Sequence, residues 1–445
     1  MTARRWLLLL IIAGALIRFG LWATYAPIEF PDTGSYRAAA QDLLEGSLSR
    51  SEGRRTPGYP LVVAIAGTTP HGIWLLQSLG GLAISALLFY IALQLTGRPG
   101  FAFAVGMTYN LNLAQLFFEA TLLSESVTTL SVVAVVAVLV AALRRLREER
   151  PATALLLLLG FLAGLAILVR AQFVFLPLLL PALVAYASLR SRFRPGLALG
   201  NSILTVAPAA IMVLVWCAAV YAKTGYFTLS TQSGMGFSNA SIGFTEYAPD
   251  RYAAIRDILV KHREARRARG APDYNTMWEA LPEIKEKTGM SLPEVSREIQ
   301  RMSIELFVAH PVKYARNVAE SWISFWLAPN PWKPDQLSPG WLARPLAAIW
   351  WVEHKLLRLA NALFVMLVAA VVLSRRARQR TRWDLDLTSI SAVILASSVI
   401  QALPEYGASA RYGVTVQALT VLVLMVAALR FSEEKPSLAL SHGTA

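Results

Sequence analysis

Charged residues stand at the ends of long apolar runs in this sequence, where their types could support chemistry. Asp32 follows the apolar run 6–22, and Glu125, Arg170 and Arg411 each adjoin a later run. A charge placed in hydrocarbon costs about 2.5 to 3.5 kcal/mol on insertion scales, so such residues are informative. Carboxylates can act as general bases, and guanidinium groups can bind anionic oxygens.

The two carboxylates also have purely structural interpretations. Asp32 fits the N-cap of a helix predicted over Tyr36 to Leu44, where its side chain would accept a backbone hydrogen bond. Glu125 lies near the start of a predicted span, where a negative charge interacts favourably with the helix macrodipole. For both residues, the sequence leaves the structural and the functional interpretation open.

The arginines have structural interpretations as well. Arg18, inside the first run, and Arg170 could extend their guanidinium groups to the membrane interface, the more common fate of an arginine near a helix end. Glu405 and Arg411 could form a simple loop ion pair, which contributes little to stability when exposed. These interpretations predict snorkelling arginines and an isolated ion pair.

Composition identifies the class of protein. Of the 445 residues, 55% are hydrophobic and 16% are charged, with a mean hydropathy of +0.48, whereas soluble domains carry roughly 25% charged residues. The first apolar run lacks a small-residue cleavage site, so we expect a retained span rather than a signal peptide. The single cysteine, Cys217, lies in an apolar run and offers neither a disulfide framework nor a cysteine metal site.

Apolar runs long enough to span a bilayer recur along the chain and predict about ten transmembrane helices. They lie at roughly 5–24, 73–96, 101–118, 122–143, 152–169, 172–189, 200–222, 346–373, 386–403 and 412–430. Arginines cluster in every second gap, among them Arg144, Arg145, Arg192, Arg194 and the run 375–382. By the positive-inside rule these gaps and both termini are cytoplasmic. Much of the net charge of +14 therefore comes from arginines that set the orientation of the spans in the membrane. No nucleic-acid partner is predicted.

The remaining gaps face outward, and two of them are large. Ser291 and Glu294 fit a capping box for a helix continuing to Ala309 in the second large gap. The sequence thus predicts an all-α integral membrane protein, with juxtamembrane helices in the first outer loop and a mostly helical outer-face cap domain. Its expected parts are a transmembrane core at 1–222 with the first outer loop at 25–71, the cap at 223–345, C-terminal transmembrane helices at 346–431 and a cytoplasmic tail at 432–445.

Four stretches, in order along the chain, resemble the C-type (GT-C) superfamily of membrane glycosyltransferases. The resemblance is to the branch of protein O-mannosyltransferases and the lipid A aminoarabinose transferase. The stretches are PDTGSYRAAAQDLLEG with Asp32 and Tyr36, RTPGYPLVVA from Arg55 to Ala64, LLSESVTTL with Glu125, and LVRAQFVFLP with Arg170. The Arg411-Tyr412 pair is a looser fifth match, and Glu405 stands where this family often shows a histidine.

The resemblance implies an inverting transfer of a sugar from a polyprenyl phosphate to an acceptor hydroxyl at the outer face of the cytoplasmic (inner) membrane. In that interpretation Asp32 is the general base, and Arg55, Arg170, Arg411 and Arg54 hold the lipid phosphate. Glu125 would orient the acceptor or the sugar, or would hold a divalent cation (Mg, Mn or Ca) with Asp32. The remaining expected substrate-binding residues are Tyr36, Tyr59 and Tyr412.

The sequence names neither the sugar, which could be a hexose or a pentose, nor the acceptor, which could be a protein, a lipid or a glycan. Other functions also stay open. A secondary transporter or a lipid-linked glycan flippase would predict inverted repeats and ionisable groups near the midplane, whereas this chain shows no repeat and its charges prefer one face. A non-enzymatic membrane anchor is a further alternative, in which the loop charges serve packing alone.

Overall fold

The computed structural model describes residues 1–191, 195–407 and 409–433, and its architecture is all-α. The helices are α1 Ala3–Thr24, α2 Thr33–Leu44, α3 Gly58–Ile65, α4 Pro70–Thr96, α5 Pro99–Asn110, α6 Leu113–Glu119, α7 Glu125–Arg147, α8 Thr153–Val169, α9 Leu176–Arg190, α10 Pro195–Thr224, α11 Ser233–Ser241, α12 Ala253–Ala268, α13 Thr276–Thr288, α14 Leu292–Ala309, α15 Pro311–Phe325, α16 Ala343–Leu373, α17 Arg375–Arg380, α18 Leu385–Ala402 and α19 Ser409–Ser432. The predicted fold class, an all-α integral membrane protein, is confirmed.

Within the described ranges, eight helices are long and apolar enough to cross a membrane, so the predicted count of ten is not confirmed. The run at 152–169 forms α8, which has 17 residues and falls just short of that length. The run at 101–118 divides into α5 and α6. These two helices together lead from the end of α4 to the start of α7, and we interpret them as one interrupted crossing.

Specific polar contacts explain the interruption between α5 and α6. The side chain of Asn112 accepts a hydrogen bond from the Gln115 N–H at 3.0 Å and thereby caps α6. Glu353 of α16 accepts the Leu113 N–H at 2.9 Å. Because backbone groups freed inside a membrane bundle must find partners, these two side chains make the break tolerable.

Arg18 does not extend to the interface, so the snorkelling interpretation is wrong for this residue. Its side chain is 6% exposed and forms two hydrogen bonds to the Glu119 carboxylate, at 2.8 and 2.7 Å. It also donates to Asn110 Oδ1 at 2.9 Å. The charge is paired inside the protein because α6 carries an acid to the same depth, and a buried arginine with a bidentate partner needs no path to water.

The chain between α10 and α16 builds a helical unit with its own apolar core. Fully buried side chains from α12, α13 and α14 form this core, among them Leu259, Ile284, Val295, Ile299 and Met302. The predicted helix to Ala309 is confirmed, and the Glu294 carboxylate accepts the Ser291 N–H at 2.7 Å as the capping box requires. We call the segment 225–342 the cap.

Helix α15 seats the cap on the membrane helices. Trp322 donates its indole N–H to Ser398 of α18 at 3.0 Å, and Asn317 donates to the Ala240 carbonyl of α11 at 2.9 Å. One helix therefore holds both α11 and α18, and cap residues line one cavity together with the starts of α2 and α19.

The arginine-rich ends of the spans lie at the opposite end of the helices from the cap. α7 carries Arg144, Arg145 and Arg147 in its last turn, and α17 adds Arg378 and Arg380. The predicted arginine positions 192 and 194, and most of the predicted tail at 432–445, lie outside the described residues. The assignment of these ends to the cytoplasm and the predicted domain boundaries stay predictions.

Candidate functional site

The site is a cavity of about 630 Å³ between the helix ends and the cap. Five separate stretches supply its charged lining: the start of α2, the loop before α3, the junction of α8 and α9, the first turn of α19 and the loop before it. They contribute Asp32, Arg54, Arg55, Arg170, Glu405 and Arg411. Residues from both halves of the chain thus meet at one surface.

Close backbone packing fixes the position of the loop before α3. A Cβ added at Gly58 would lie 2.6 Å from the Val169 backbone nitrogen and 2.7 Å from the Leu168 carbonyl oxygen. Only glycine allows α3 to approach the end of α8 this closely. This contact holds the loop that carries Arg55 against the end of α8, where Arg170 follows Val169, and both arginines line the cavity.

Asp32 occupies the N-cap position of α2, but its side chain makes no capping hydrogen bond, so the capping interpretation is wrong. Instead, Arg55 donates to Asp32 Oδ1 at 2.7 Å and Arg411 donates to Oδ2 at 2.9 Å. Burial by itself would raise the pKa of Asp32, but Arg55 and Arg411 outweigh it and lower that pKa to about 2. The carboxylate is ionised and held between two cations.

Glu125 lies behind the cavity lining as a second, fully buried carboxylate. Its side chain is 1% exposed, Arg170 donates to its Oε1 at 3.0 Å, and Arg411 Nε lies 3.1 Å from the same oxygen. The favourable dipole position at the start of α7 is therefore combined with ion pairing. Arg411 bridges Asp32 and Glu125, and the two carboxylates together orient three arginines.

Two structural interpretations of the arginines are therefore wrong. Arg170 does not reach for the interface, because its side chain is 10% exposed and is held by Glu125. Arg411 does not pair with Glu405 among the described residues; Glu405 accepts a hydrogen bond from Asn239 at 2.8 Å instead. Instead of one loop ion pair, the contacts form a network that joins the starts of α2, α7 and α19 to the end of α8.

Aromatic rings pack against two of the arginines. The Arg55 guanidinium lies 4.5 Å from the ring centroid of Tyr36, and that of Arg170 lies 4.3 Å from Tyr412, distances at which cation–π attraction acts. Tyr59 is fully buried and packs edge-on against Tyr36 at 4.7 Å. Tyr36 and Tyr412 line the cavity, whereas Tyr59 supports it from the second layer.

Arg54 turns away from this cluster toward the cap. Its Nε donates to Gln232 Oε1 at 3.3 Å, and its guanidinium lies 6.0 Å from the Trp278 ring. It still lines the cavity. The structure thus links Asp32, Arg55, Arg170 and Arg411 through ion pairs with Asp32 and Glu125. Arg54 contacts the cap instead.

The donor set around Asp32 and Glu125 does not fit a divalent cation. Both Asp32 oxygens already accept hydrogen bonds from arginines, and Glu125 Oε1 is shared by two more guanidinium contacts. Magnesium, manganese and calcium need several oxygen ligands, whereas three guanidinium groups here repel a cation. In the described part of the chain, no cluster of three or more acidic, histidine or cysteine side chains could hold one.

An anion, by contrast, fits this surface. Three arginines face two carboxylates, so positive charge is in excess, and Arg170 Nη1 is buried with no hydrogen-bond partner among the described residues. A phosphate group could accept from two or three of these guanidinium groups at once. The arrangement is suited to binding a phosphate next to an ionised carboxylate.

Sequence reasoning missed two amide residues that line the cavity, Asn239 and Gln172, and it named Glu405 only as a loop partner of Arg411 and at a family histidine position. Both amide atoms of Gln172 are buried without partners in the described structure. Gln172 stands two residues after Arg170 in a predicted motif, which was the available signal for it. Nothing in the sequence pattern pointed to Asn239, because its position depends on how α11 packs.

Fold and site together define the class: an all-α integral membrane protein with an arginine-lined cavity at one end of its helices. The chain is similar to the solved structure of the archaeal oligosaccharyltransferase AglB from Archaeoglobus fulgidus, in complex with an inhibitory peptide and a dolichol-phosphate, with a TM-score of 0.51 and 11% identity. The match covers 97% of this chain and 51% of that one, so the chain spans about half its length. No family model and no curated protein sequence matches.

Proposed function

We propose that this protein is an inverting glycosyltransferase that moves a sugar from a polyprenyl phosphate to an acceptor hydroxyl. The observation that carries the proposal is the convergence of Arg55, Arg170 and Arg411 with Asp32 on one cavity at the ends of the membrane helices. Support comes also from the likeness in fold to a protein whose structure holds a dolichol-phosphate. The proposed branch is that of the protein O-mannosyltransferases and the aminoarabinose transferase.

In the proposed reaction the arginines stabilise the leaving group. The bond between the anomeric carbon and the phosphate oxygen breaks, and its electron pair stays on the phosphate, which gains negative charge. Guanidinium groups that are already in place can stabilise this negative charge without reorganising. Such pre-placed charges are the main requirement for electrostatic catalysis. Glu125 is a positioning residue here, since it is buried behind Arg170 and Arg411 and holds both.

Asp32 is the proposed general base. It takes the proton of the acceptor hydroxyl while the hydroxyl oxygen attacks the anomeric carbon from the face opposite the phosphate. With both oxygens held by arginines, a carboxylate whose pKa is about 2 is a weak base. A donor phosphate offers Arg55 and Arg411 a second anion, so donor binding would draw them from Asp32 and restore its basicity.

The proposal includes a cellular setting. The site faces the extracytoplasmic side of the inner membrane, the lipid donor enters from the bilayer, and the cap selects a glycan, lipid or protein acceptor. Both termini then lie in the cytoplasm. Membrane lipids surround the spans, and neither nucleic acid nor a metal ion takes part.

The proposal is tested with purified protein and a panel of polyprenyl-phosphate sugars, with products identified by mass spectrometry. Asp32→Asn should lower kcat by about 10²- to 10⁴-fold, the usual contribution of general base catalysis. Arg55→Ala should weaken donor binding, because a guanidinium facing the phosphate is lost. Asp257→Asn, whose side chain is 64% exposed in the cap, serves as the matched control. An Asp32→Asn enzyme that turns over like wild type would refute the base assignment.

A further inference from the structure

The cap-side wall of the cavity carries a carboxylate that the proposed reaction does not use. Glu405 lies in the loop that follows α18 and lines the cavity together with Asn239 and Gly236 of α11. Asn239 donates to Glu405 Oε1 at 2.8 Å, and Ser321 of α15 donates to the Glu405 carbonyl oxygen at 2.5 Å. Backbone and side chain are thus both held, each by the cap.

The second carboxylate oxygen of Glu405 is left for a ligand. Among the described residues none donates a hydrogen bond to Oε2. A Cβ added at Gly236 would lie 3.7 Å from this oxygen, so glycine at that position leaves the space beside it open. Glu405 Oε2 is not among the buried atoms that lack a partner, so it is open to the cavity, and a ligand hydroxyl there can donate to it.

The electrostatic surroundings of Glu405 differ from those of Asp32. Burial raises the pKa of Glu405 to about 7, while the hydrogen bond from Asn239 and the charges of Arg411 and Arg170 act in the opposite direction. The groups facing it are Arg411 and Tyr412 of α19, Arg170, and Asp32, whose charge adds to the rise. No arginine pairs with Glu405 in the described structure, so the wall it forms is distinct from the phosphate-binding side.

We propose that Glu405 and Asn239 form a saccharide subsite in which Glu405 Oε2 accepts hydrogen bonds from ring hydroxyls of the transferred sugar. This inference rests on the proposed function, because the sugar is taken to be attached to a phosphate held by the arginines. The ring then extends from the arginines toward the cap-side wall. Neutral hydroxyls supply the donors that Oε2 lacks, and Trp278, which lines the same cavity and is 38% exposed, offers apolar surface for a sugar ring.

Such a subsite would decide which sugar is accepted. A site built to hydrogen-bond a substrate hydroxyl rejects an analogue that lacks it far more strongly than an apolar pocket rejects an extra methylene. Glu405 is therefore a positioning and specificity residue, whereas Asp32 remains the base. Its loss should change the donor KM and the ranking of donor sugars more than kcat.

The test compares Glu405→Gln and Gly236→Ala with wild type over the donor panel, including deoxy sugars, from pH 5.5 to 8.5. The controls are Glu286→Gln, an exposed cap carboxylate, and Gly243→Ala, whose added Cβ meets open space. Glu405→Gln should raise the donor KM by roughly tenfold, the effect of one hydrogen bond to a charged group. The kcat of Glu405→Gln should stay within about twofold of wild type. In this variant the donor KM of a deoxy sugar should no longer exceed that of the parent sugar.

Two further readouts separate a binding role from a structural one. The wild-type donor KM should rise as pH falls below about 7, because protonation removes the negative charge of the acceptor and turns one oxygen into a donor, and this dependence should disappear in Glu405→Gln. Asp32, with a pKa of about 2, and the arginines keep their charges over this range. Gly236→Ala keeps the acid but fills the space beside Oε2, so it should also raise the donor KM.

The outcomes are distinguishable. Unchanged donor KM and sugar ranking in both variants, in an enzyme that transfers sugar, would overturn the subsite and leave the proposed function standing. A loss of kcat at unchanged KM in Glu405→Gln would make Glu405 the base and would likewise overturn the subsite. Wild-type protein that transfers no sugar from the panel would overturn the proposed function and the subsite with it.

Discussion

Replacing Arg18 with methionine should strongly destabilise the protein without touching the cavity. Arg18 stands six residues before the end of α1, about 9 Å down the helix axis at 1.5 Å per residue. The substitution removes two charged hydrogen bonds to Glu119 and one to Asn110. Because the Glu119 carboxylate is 1% exposed, it is left as an uncompensated charge away from water.

Breaking one partner of a buried ion pair costs about 3 to 5 kcal/mol, most of it from the charge that remains. The double variant Arg18→Met/Glu119→Gln should recover most of this loss. It removes both charges, and the glutamine oxygen can still accept the Tyr109 hydroxyl, which now donates to Glu119 at 3.2 Å. The expected coupling free energy between the two positions is thus about 2 kcal/mol or more.

Unfolding of the purified protein in detergent, followed by tryptophan fluorescence, measures the four members of this double-mutant cycle. Gly81→Ala provides an independent check, because an added Cβ there would collide with the Glu119 carboxylate and the Arg18 guanidinium. Gly20→Ala, whose Cβ meets open space, is the control. Arg18→Met with wild-type stability, or a double variant no more stable than Arg18→Met, would refute the inference that this pair is buried and coupled.

Three further predictions concern the site. Gly58→Ala should lower transfer activity at least tenfold, because α3 must move off α8 and carry Arg55 with it; retained activity would contradict the packing argument. The pKa of Asp32 is depressed from 3.8 to about 2, so its contribution to stability is present above about pH 4 and is lost as pH falls toward 2. Acid unfolding curves should therefore show wild type and Asp32→Asn converging below pH 4, and a constant difference would count against the ion pairs. Chelation with EDTA should leave the transfer rate unchanged, and a loss restored by magnesium or manganese would contradict the proposed anion-only site.

Some of the motif residues could be placed from the sequence because their neighbours along the chain decide their surroundings. Asp32 and Tyr36 lie at the start of one helix, and Arg55 lies just before Gly58, where α3 begins and approaches a span closely. The order of the motifs and their common position at span ends predicted that they would meet. Their partners were not predictable: capping for Asp32, the interface for Arg170 and Glu405 for Arg411 were all wrong.

The errors share a physical cause. Local rules treat each charge as solvated or as paired with a near neighbour, whereas the site satisfies its charges across the whole bundle. Arg411 donates to Asp32 over 379 positions of sequence, and Asn239 reaches Glu405 over 166. Such pairings follow from how α2, α7, α19 and the cap pack together, which no local pattern encodes.

The sequence by itself determined that this is an all-α membrane protein. Hydrocarbon admits helices because their backbone hydrogen bonds are satisfied within each segment, and such helices can be recognised in the sequence by the length of their apolar runs. The sequence also determined which ends of the helices carry acids and arginines. Tertiary structure alone decided that Arg18 is paired inside the bundle, that two arginines share Asp32, and that Glu405 faces the cavity from the cap. The reason is that a charge in a membrane protein must find a partner in three dimensions, and its partner is set by helix packing rather than by distance along the chain.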